Sequence, residues 1–153
     1  MQNRLSVAVF ALFTFVFLSC GQNKEKHNLQ ATNTTNAPKA IGPYSQAIKV
    51  GKDLYCSGQI GIDPATNAFA GEDIKSQTTQ ALKNLKAVVE ASGSDMGHVA
   101  KVTVYLKDLS DYATVNDIYK DFFPGTKPAR AAVQVAALPK NALIEMDCVA
   151  VVE

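Results

Sequence analysis

The chain has 153 residues, enough for one ordinary domain and short for two. Hydrophobic residues make up 47% of it, so a core can form and disorder along the whole chain is excluded. Its 15 basic and 14 acidic residues nearly balance, which argues against a nucleic-acid or acidic partner. Two histidines and three cysteines are too few for a histidine-rich metal site or a disulfide scaffold.

The N-terminal segment is typical of an export signal. Arg4 precedes an apolar run over residues 5–18, which spans about 21 Å as a helix, less than the roughly 30 Å of a bilayer core. A positive residue, a short apolar run and then small residues are typical of a secretory signal. Phe17-Leu18-Ser19-Cys20-Gly21 resembles the lipobox of bacterial lipoproteins, whose cysteine becomes the acylated N-terminus. The alternative is an ordinary cleaved signal with an incidental cysteine.

These features predict three segments and a location. Residues 1–19 are predicted to be a lipoprotein signal peptide, and residues 20–37 a lipidated Cys20 followed by a flexible polar tether. The folded domain is predicted over residues 38–153. Several acyl chains on Cys20 would anchor the protein stably to a membrane of the bacterial cell envelope, with the domain on the periplasmic side.

The domain is predicted to begin with two short strands and a loop. Residues 44–50 and 53–57 are rich in strand-forming side chains, and Gly51 suits the turn between them. Residues 58–71 contain Asp-Pro and Thr-Asn pairs, which are loop signals. A hairpin followed by an irregular loop is therefore expected here.

A helix, a strand and a second helix are predicted next. From Asp73 to Gly93 the apolar residues recur at helical spacing, on one face made of Ile74, Ala81, Leu82, Leu85, Val88 and Val89. Residues 102–106 alternate between apolar and polar, as in a half-buried strand. Ser110 is a plausible N-cap of the second helix, which Pro124-Gly125 ends.

Two more strands complete the predicted fold. They cover residues 130–135 and 143–152, with a turn at 138–141 between them. The order strand, strand, helix, strand, helix, strand, strand predicts an α+β domain, a single sheet with both helices on one face. The other face is either solvated or covered by a second copy of the chain. The alternating apolar residues on several strands favour a second copy.

Arg130 is the first candidate for a chemical role. The chain has thirteen lysines and two arginines, and the other arginine, Arg4, lies in the predicted signal. A guanidinium is a rigid fork that grips a carboxylate through two parallel hydrogen bonds, which an ammonium cannot do. The alternative is a structural arginine that pairs with an acidic residue.

Glu145 is the second candidate. The strand period places Ile144, Met146 and Cys148 on one face of the last strand. Glu145 and Asp147 lie on the other face, although acidic residues are poor strand formers. A solvated face explains them simply. Beside a carboxylate-binding arginine, Glu145 would instead orient a water molecule for attack.

Five short motifs carry a resemblance to a known family. In chain order they are Ile41-Gly42-Pro43-Tyr44, Ser57-Gly58-Gln59-Ile60, Thr114-Val115-Asn116, Pro128-Ala129-Arg130 and Ile144-Glu145. Together they resemble the RidA (YjgF-like) family of enamine/imine deaminases, over essentially the whole of residues 38–153. The resemblance implies a chorismate-mutase-like α+β fold and a homotrimer with three ligand clefts between subunits. It also implies that no metal or organic cofactor takes part.

The same resemblance implies an activity and its residues. Members hydrolyse reactive 2-aminoacrylate-type enamines, or their imine tautomers, to 2-oxo acids and ammonia, as 2-iminobutanoate/2-iminopropanoate deaminases do. Arg130 matches the arginine that grips the substrate carboxylate, and Glu145 matches the acid that positions the hydrolytic water. The remaining matches are cleft-lining residues, namely Tyr44, Ser57, Asn116 and, through its backbone, Gly58.

The sequence departs from the family pattern in two places, and other functions stay open. Ala132 stands where many members have a cysteine, and residues 124–127 form a shorter loop than in many relatives. An anchored copy also lacks the cytosolic supply of enamines on which members typically act. The alternative is a non-catalytic envelope module that binds a small carboxylate or another protein. Ribonuclease activity, reported for some relatives, is disfavoured by the balanced charge.

Overall fold

The computed structural model describes residues 28–153. The predicted signal peptide and Cys20 lie outside the described residues, as does the first part of the predicted tether. Within the described part, neither helix has both the length and the apolar character that crossing a membrane requires.

Residues 28–153 form eight β-strands and two α-helices. The strands are β1 (Leu29–Thr32), β2 (Ala47–Val50), β3 (Asp53–Ile60), β4 (Ile62–Asp63), β5 (Ala68–Phe69), β6 (Val99–Leu106), β7 (Ala129–Gln134) and β8 (Ile144–Val151). The helices are α1 (Ile74–Ala91) and α2 (Tyr112–Phe122). Six strands form one sheet in the order β1-β2-β3-β8-β6-β7, and β4 and β5 form a small separate hairpin. Only the β6–β7 pair of the large sheet is parallel. The predicted α+β class is confirmed.

Side-chain alternation gives the large sheet a covered and an uncovered face. On β8, Ile144, Met146 and Cys148 are buried in the core, whereas Glu145 and Asp147 on the opposite face are half-buried. Both helices contribute to that same core and contact each other, so they lie together on the covered face, as predicted. This arrangement follows from the period of two in a strand, which separates neighbouring side chains onto opposite faces.

The folded part begins before the predicted boundary at Pro38. β1 pairs antiparallel with β2 along its whole length. The buried Gln46 amide accepts a hydrogen bond from the Thr34 backbone N–H at 2.7 Å and donates to the Pro38 carbonyl at 2.8 Å. Ala37 is buried in the core. Residues 29–37 therefore belong to the sheet and its support, rather than to the predicted flexible tether, because backbone pairing accepts a polar sequence.

The ends of the two helices can be compared directly with the predicted segments. Asp73, where the helical pattern begins, caps α1 by accepting the Ser76 backbone N–H at 2.9 Å, and Gly93, where the pattern ends, follows α1 with φ of 84°. Ser110 is not the N-cap of α2. It lies in a 3₁₀ turn where the Asp108 carboxylate accepts its N–H at 2.8 Å, and α2 starts at Tyr112.

The predicted loop over residues 58–71 is more ordered than expected. β3 continues through it to Ile60, and the β4–β5 hairpin occupies much of the remainder. Asn67, at the tip of that hairpin, adopts φ of 55°, a left-handed conformation that asparagine tolerates better than most residues. The loop signals therefore correctly indicate the tight turn at Asn67. They do not indicate β4 and β5, because strands of two residues are too short to show an alternating pattern.

Candidate active site

Four of the predicted site residues line one cavity of about 340 Å³. They are Tyr44, Ser57, Gly58 and Glu145, and the rest of the lining comes from Ile41, Ile60 and Pro139. Glu145 comes from the uncovered face of β8, and Ser57 and Gly58 come from the neighbouring strand β3. The fold thus joins three motifs that are far apart in the sequence.

A bulge in β3 places Ser57 and Gly58 at the cavity. The pairing of β3 with β8 shifts register between Cys56 and Gln59. Ser57 and Gly58, which lie between them, are therefore opposite a single residue of β8, Asp147. The Ser57 hydroxyl donates to the Ser45 carbonyl at 2.7 Å and ties the bulge to the segment before β2. The bulge is therefore fixed from both sides.

Gly58 allows the Glu145 carboxylate to lie directly on the β3 backbone. A Cβ built at position 58 would overlap Oε1 of Glu145 and crowd the rest of its carboxyl group. Any side chain at this position would displace the acid, because a carboxylate cannot share that space. The glycine thus sets where the acid sits in the cavity.

The surroundings of Glu145 favour its protonated form more than water would. Burial raises the pKa of Glu145, and the nearby Asp147 charge raises it further. Tyr105 donates its hydroxyl proton to Asp147 at 2.8 Å. Among residues 28–153, Glu145 has neither a hydrogen-bond nor an ion-pair partner. Its oxygens are consequently available to a water molecule or a ligand.

Arg130 lies elsewhere, on the covered face at the edge of the sheet. In the β6–β7 pairing it is aligned with the fully buried Val102. Its Nη2 donates to the Asn116 amide oxygen at 2.6 Å, and its Cζ lies 4.6 Å from the centre of the Tyr119 ring. The ion pairs of the described residues do not include Arg130. Its positive charge is therefore left uncompensated by any acidic residue of that part of the chain.

The predicted site is thus divided into two halves within one chain. Arg130 contacts Asn116 of α2 on the covered face of the sheet, whereas Glu145 and its cavity lie on the opposite face. β6 and β8 separate β7 from β3. Arg130 and Glu145 do not meet inside a single chain, and their expected meeting across a seam between subunits stays a prediction. Either half could complete a site only by combining with another copy of the chain.

Two tyrosines at the arginine half were missed by the sequence analysis. Tyr112 accepts a hydrogen bond from Arg130 Nη2 at 2.9 Å, and the Tyr119 ring lies under the guanidinium. With Asn116 they occupy positions i, i+4 and i+7 of α2, which share one helix face. This helical spacing could have indicated from the sequence that the two tyrosines lie beside Asn116. Within residues 28–153, no group of three potential metal-ligating side chains is found.

Comparison with known sequences gives one family. The family model described as "Endoribonuclease L-PSP" matches residues 34–152. A RutC family protein of Pyrococcus horikoshii is 55% identical over 117 residues, which cover 76% of this chain and 93% of the relative. The mouse protein named 2-iminobutanoate/2-iminopropanoate deaminase is 49% identical over 119 residues, 78% of this chain and 88% of the relative.

Solved structures resemble the whole described fold. RidA from the Antarctic bacterium Psychrobacter superposes with a TM-score of 0.78 at 45% identity, covering 80% of this chain and 99% of that one. TdcF of E. coli, solved with bound serine, gives a TM-score of 0.78 at 40% identity, covering 81% and 99%. The similarity therefore spans both halves of the divided site.

Proposed function

The chain belongs to the endoribonuclease L-PSP family and, within it, to the RidA/YjgF proteins, and from this premise we propose that it hydrolyses 2-imino acids and their enamine tautomers to 2-oxo acids and ammonia. The observation that carries this proposal is the half-buried carboxylate of Glu145, which has no partner among residues 28–153 and lies in a cavity with Tyr44, Ser57 and Gly58. The deaminase name of the mammalian relatives at about 49% identity supports the same activity.

We propose that the working site forms between subunits of a homotrimer. Arg130 carries an uncompensated charge on one face of the sheet, and Glu145 lines an open cavity on the other. In a cyclic assembly, each subunit presents one face to one neighbour and a different face to the next. Three such contacts would bring three arginine halves to three cavities, and each site would then contain both groups.

The chemistry suits these two groups. The substrate carboxylate binds the Arg130 guanidinium, and this fixes the adjacent C=N carbon at a defined point. Glu145 takes a proton from a water molecule as the water oxygen adds to that carbon, and passes this proton to the nitrogen, giving a neutral carbinolamine. Glu145 then carries the hydroxyl proton of the carbinolamine to the nitrogen as the C–N bond breaks, so that ammonia and a 2-oxo acid leave. A raised pKa makes Glu145 a better base near neutral pH than an ordinary carboxylate.

The serine bound to TdcF supports the proposed ligand class. Serine is a 2-amino acid, with a carboxylate next to a carbon that bears nitrogen, and TdcF shares 40% identity with this chain. A 2-imino acid has the same two groups on neighbouring carbons. An arginine and a carboxylate facing each other would bind such a molecule in one orientation.

The activity is tested by following 2-oxo acid formation from an enzymatically generated 2-imino acid. We expect the purified chain to accelerate it, and Arg130→Ala to reduce kcat/KM by about a hundredfold or more because the anchor is lost. Arg130→Lys is expected to recover little, since an ammonium cannot form the fork. Lys83→Ala removes an exposed positive charge elsewhere and serves as the control.

Two results would contradict the proposal. Full activity of Arg130→Ala would remove the role assigned to the arginine. Binding of 2-oxo acids by calorimetry without any turnover of imino acids would instead support the alternative, a non-catalytic module that binds small carboxylates.

We further propose that the protein is held at a bacterial envelope membrane by acyl chains on Cys20. The support is the apolar run over residues 5–18 and the lipobox-like residues 17–21. Expressed in a bacterium, the chain is expected in the membrane fraction, and Cys20→Ser is expected to prevent labelling by a radioactive fatty acid. Equal labelling of the two forms, or a chain found only in the cytosolic fraction, would contradict the anchor.

A further inference from the structure

The contacts of Arg130 Nη2 leave that nitrogen with no free proton. It carries two N–H groups. One donates to the Asn116 amide oxygen at 2.6 Å, and the other donates to the Tyr112 hydroxyl oxygen at 2.9 Å. Among the residues that the structure describes, Nη1 and Nε of Arg130 make no hydrogen bond. Within one chain the guanidinium is thus held through Nη2.

This arrangement restricts how a carboxylate can bind. A two-bond grip uses either the Nη1/Nη2 edge or the Nη2/Nε edge of the guanidinium, because Cδ blocks the third edge. Both usable edges include an Nη2 proton. A carboxylate that binds in this way must therefore replace either Tyr112 or Asn116 as the acceptor at Nη2.

Tyr112 is the acceptor better placed to leave. Its hydrogen bond is longer than that of Asn116, and its side chain is 41% exposed at the start of α2. The Asn116 contact is partly buried and shorter. A phenol can also reverse its role, because its oxygen accepts from Nη2 and its O–H can donate to an incoming carboxylate.

We propose that Tyr112 is a positioning residue for Arg130: the Tyr112 hydroxyl oxygen accepts from one Nη2 proton before a ligand binds and gives up that proton to the ligand carboxylate. The inference rests on the proposed function in that it takes the ligand to be a 2-imino or 2-oxo acid. Asn116 keeps the other proton throughout. The guanidinium is therefore already oriented when the ligand arrives, and less ordering accompanies binding.

Nuclear magnetic resonance of the guanidinium tests the hold directly. The chain has two arginines, so an Arg4→Lys background leaves the Arg130 guanidinium as the sole source of these signals. With Tyr112 present, we expect slow rotation about Cζ–Nε and separate Nη signals. Tyr112→Phe keeps the ring but removes the acceptor, so the rotation should be faster. Equal rotation in the two forms would overturn the proposal.

Binding and turnover provide the second readout. Tyr112→Phe is expected to raise the Kd for pyruvate, and the KM for the imino acid, by about three- to tenfold with little change in kcat. Tyr55→Phe removes another half-exposed phenol that has no hydrogen bond among the described residues, and it is the matched control. A fall in kcat at constant KM, or a lowered thermal midpoint of Tyr112→Phe, would overturn the positioning role.

These measurements separate this inference from the proposed function. Turnover of imino acids with an unchanged Kd in Tyr112→Phe would defeat only the inference. The opposite result is also possible to recognise. If Tyr112→Phe weakens pyruvate binding but the chain turns over no imino acid, only the deaminase proposal is defeated.

Discussion

At position 58 the cavity depends on the absence of a side chain. The backbone of Gly58 lies against the Glu145 carboxyl group, in the space that a Cβ would fill. The neighbouring Asp147 adds a negative charge close to that acid, and Tyr105 holds Asp147 in place. The missing methyl group thus sets the position of Glu145, while burial and, after it, the Asp147 charge raise its pKa.

Gly58→Ala is expected to lower kcat/KM for imino acids by about tenfold or more, because the new methyl group forces the Glu145 carboxylate away from its position. Gly125→Ala is the matched control, since a Cβ there has no atom within 4 Å. Both variants should be assayed alongside a measurement of thermal stability. An alanine at position 58 that preserves full kcat/KM would show that the carboxylate position does not matter.

The pH dependence of the reaction should report on Asp147. Glu145 works as a base only when ionised, so kcat/KM should fall as the pH drops through its raised pKa. Asp147→Asn removes the neighbouring negative charge, which lowers the pKa of Glu145. The acid limb of the profile should therefore move to lower pH, while the plateau stays in place. An acid limb that stays fixed, or moves to higher pH, would contradict the coupling.

At the scale of elements, the bulge in β3 and one face of α2 position the residues of the divided site. The bulge in β3 places Ser57 and Gly58 at the cavity, and the start of α2 places Tyr112 and Asn116 on Arg130. β1 adds an edge strand, and the buried Gln46 amide holds the segment that follows it. The bulge places Ser57 and Gly58, while Glu145 and Arg130 lie on regularly paired parts of β8 and β7.

A chain that begins at Pro38 is expected to be less stable than one that begins at Asn28. The shorter chain lacks β1 and leaves the buried Gln46 amide without its Thr34 partners. An unsatisfied buried polar group costs about 1–3 kcal/mol, which should appear as a lower midpoint in urea. The longer chain is the control for expression and assembly. Equal midpoints would mean that β1 adds nothing to the stability of the fold.

At the scale of the whole molecule, the proposed homotrimer follows from the division of the site within one chain. Arg130 and Glu145 lie on opposite faces of one sheet, so neither face holds both groups. The ring proposed above is what joins them. If the ring forms as proposed, activity requires the assembly, and each half can be inactivated separately.

Mixed assemblies test that dependence. Arg130→Ala and Glu145→Gln are each expected to retain at most about a hundredth of the activity alone. After the two are unfolded together and refolded at equal amounts, about a quarter of the clefts in random trimers should pair an intact arginine with an intact acid. Activity near a quarter of the unaltered level is therefore expected. Mixing without refolding serves as the control, and no recovery after refolding would indicate that both groups come from one subunit.

The sequence by itself determined the covered face, both helices and the identity of the candidate residues. Hydrophobic periodicity over α1, β6 and β8 reflects burial within the chain, so it can be read without a structure. Glu145 stood out because an acid in an apolar strand is unusual, and Arg130 because lysine fills almost every other basic position.

Only the tertiary structure decided which of those residues meet. The pairing register determines that Ser57 and Gly58 share a bulge opposite Asp147, and no local pattern encodes a register shift. The polar residues of β1 entered the sheet because backbone hydrogen bonds need no apolar side chain. Arg130 and Glu145 lie on opposite faces of the sheet because of their positions in the strand pairing. Arg130 is aligned with the buried Val102 on the covered face, whereas Glu145 alternates with the buried residues of β8 and so lies on the uncovered face.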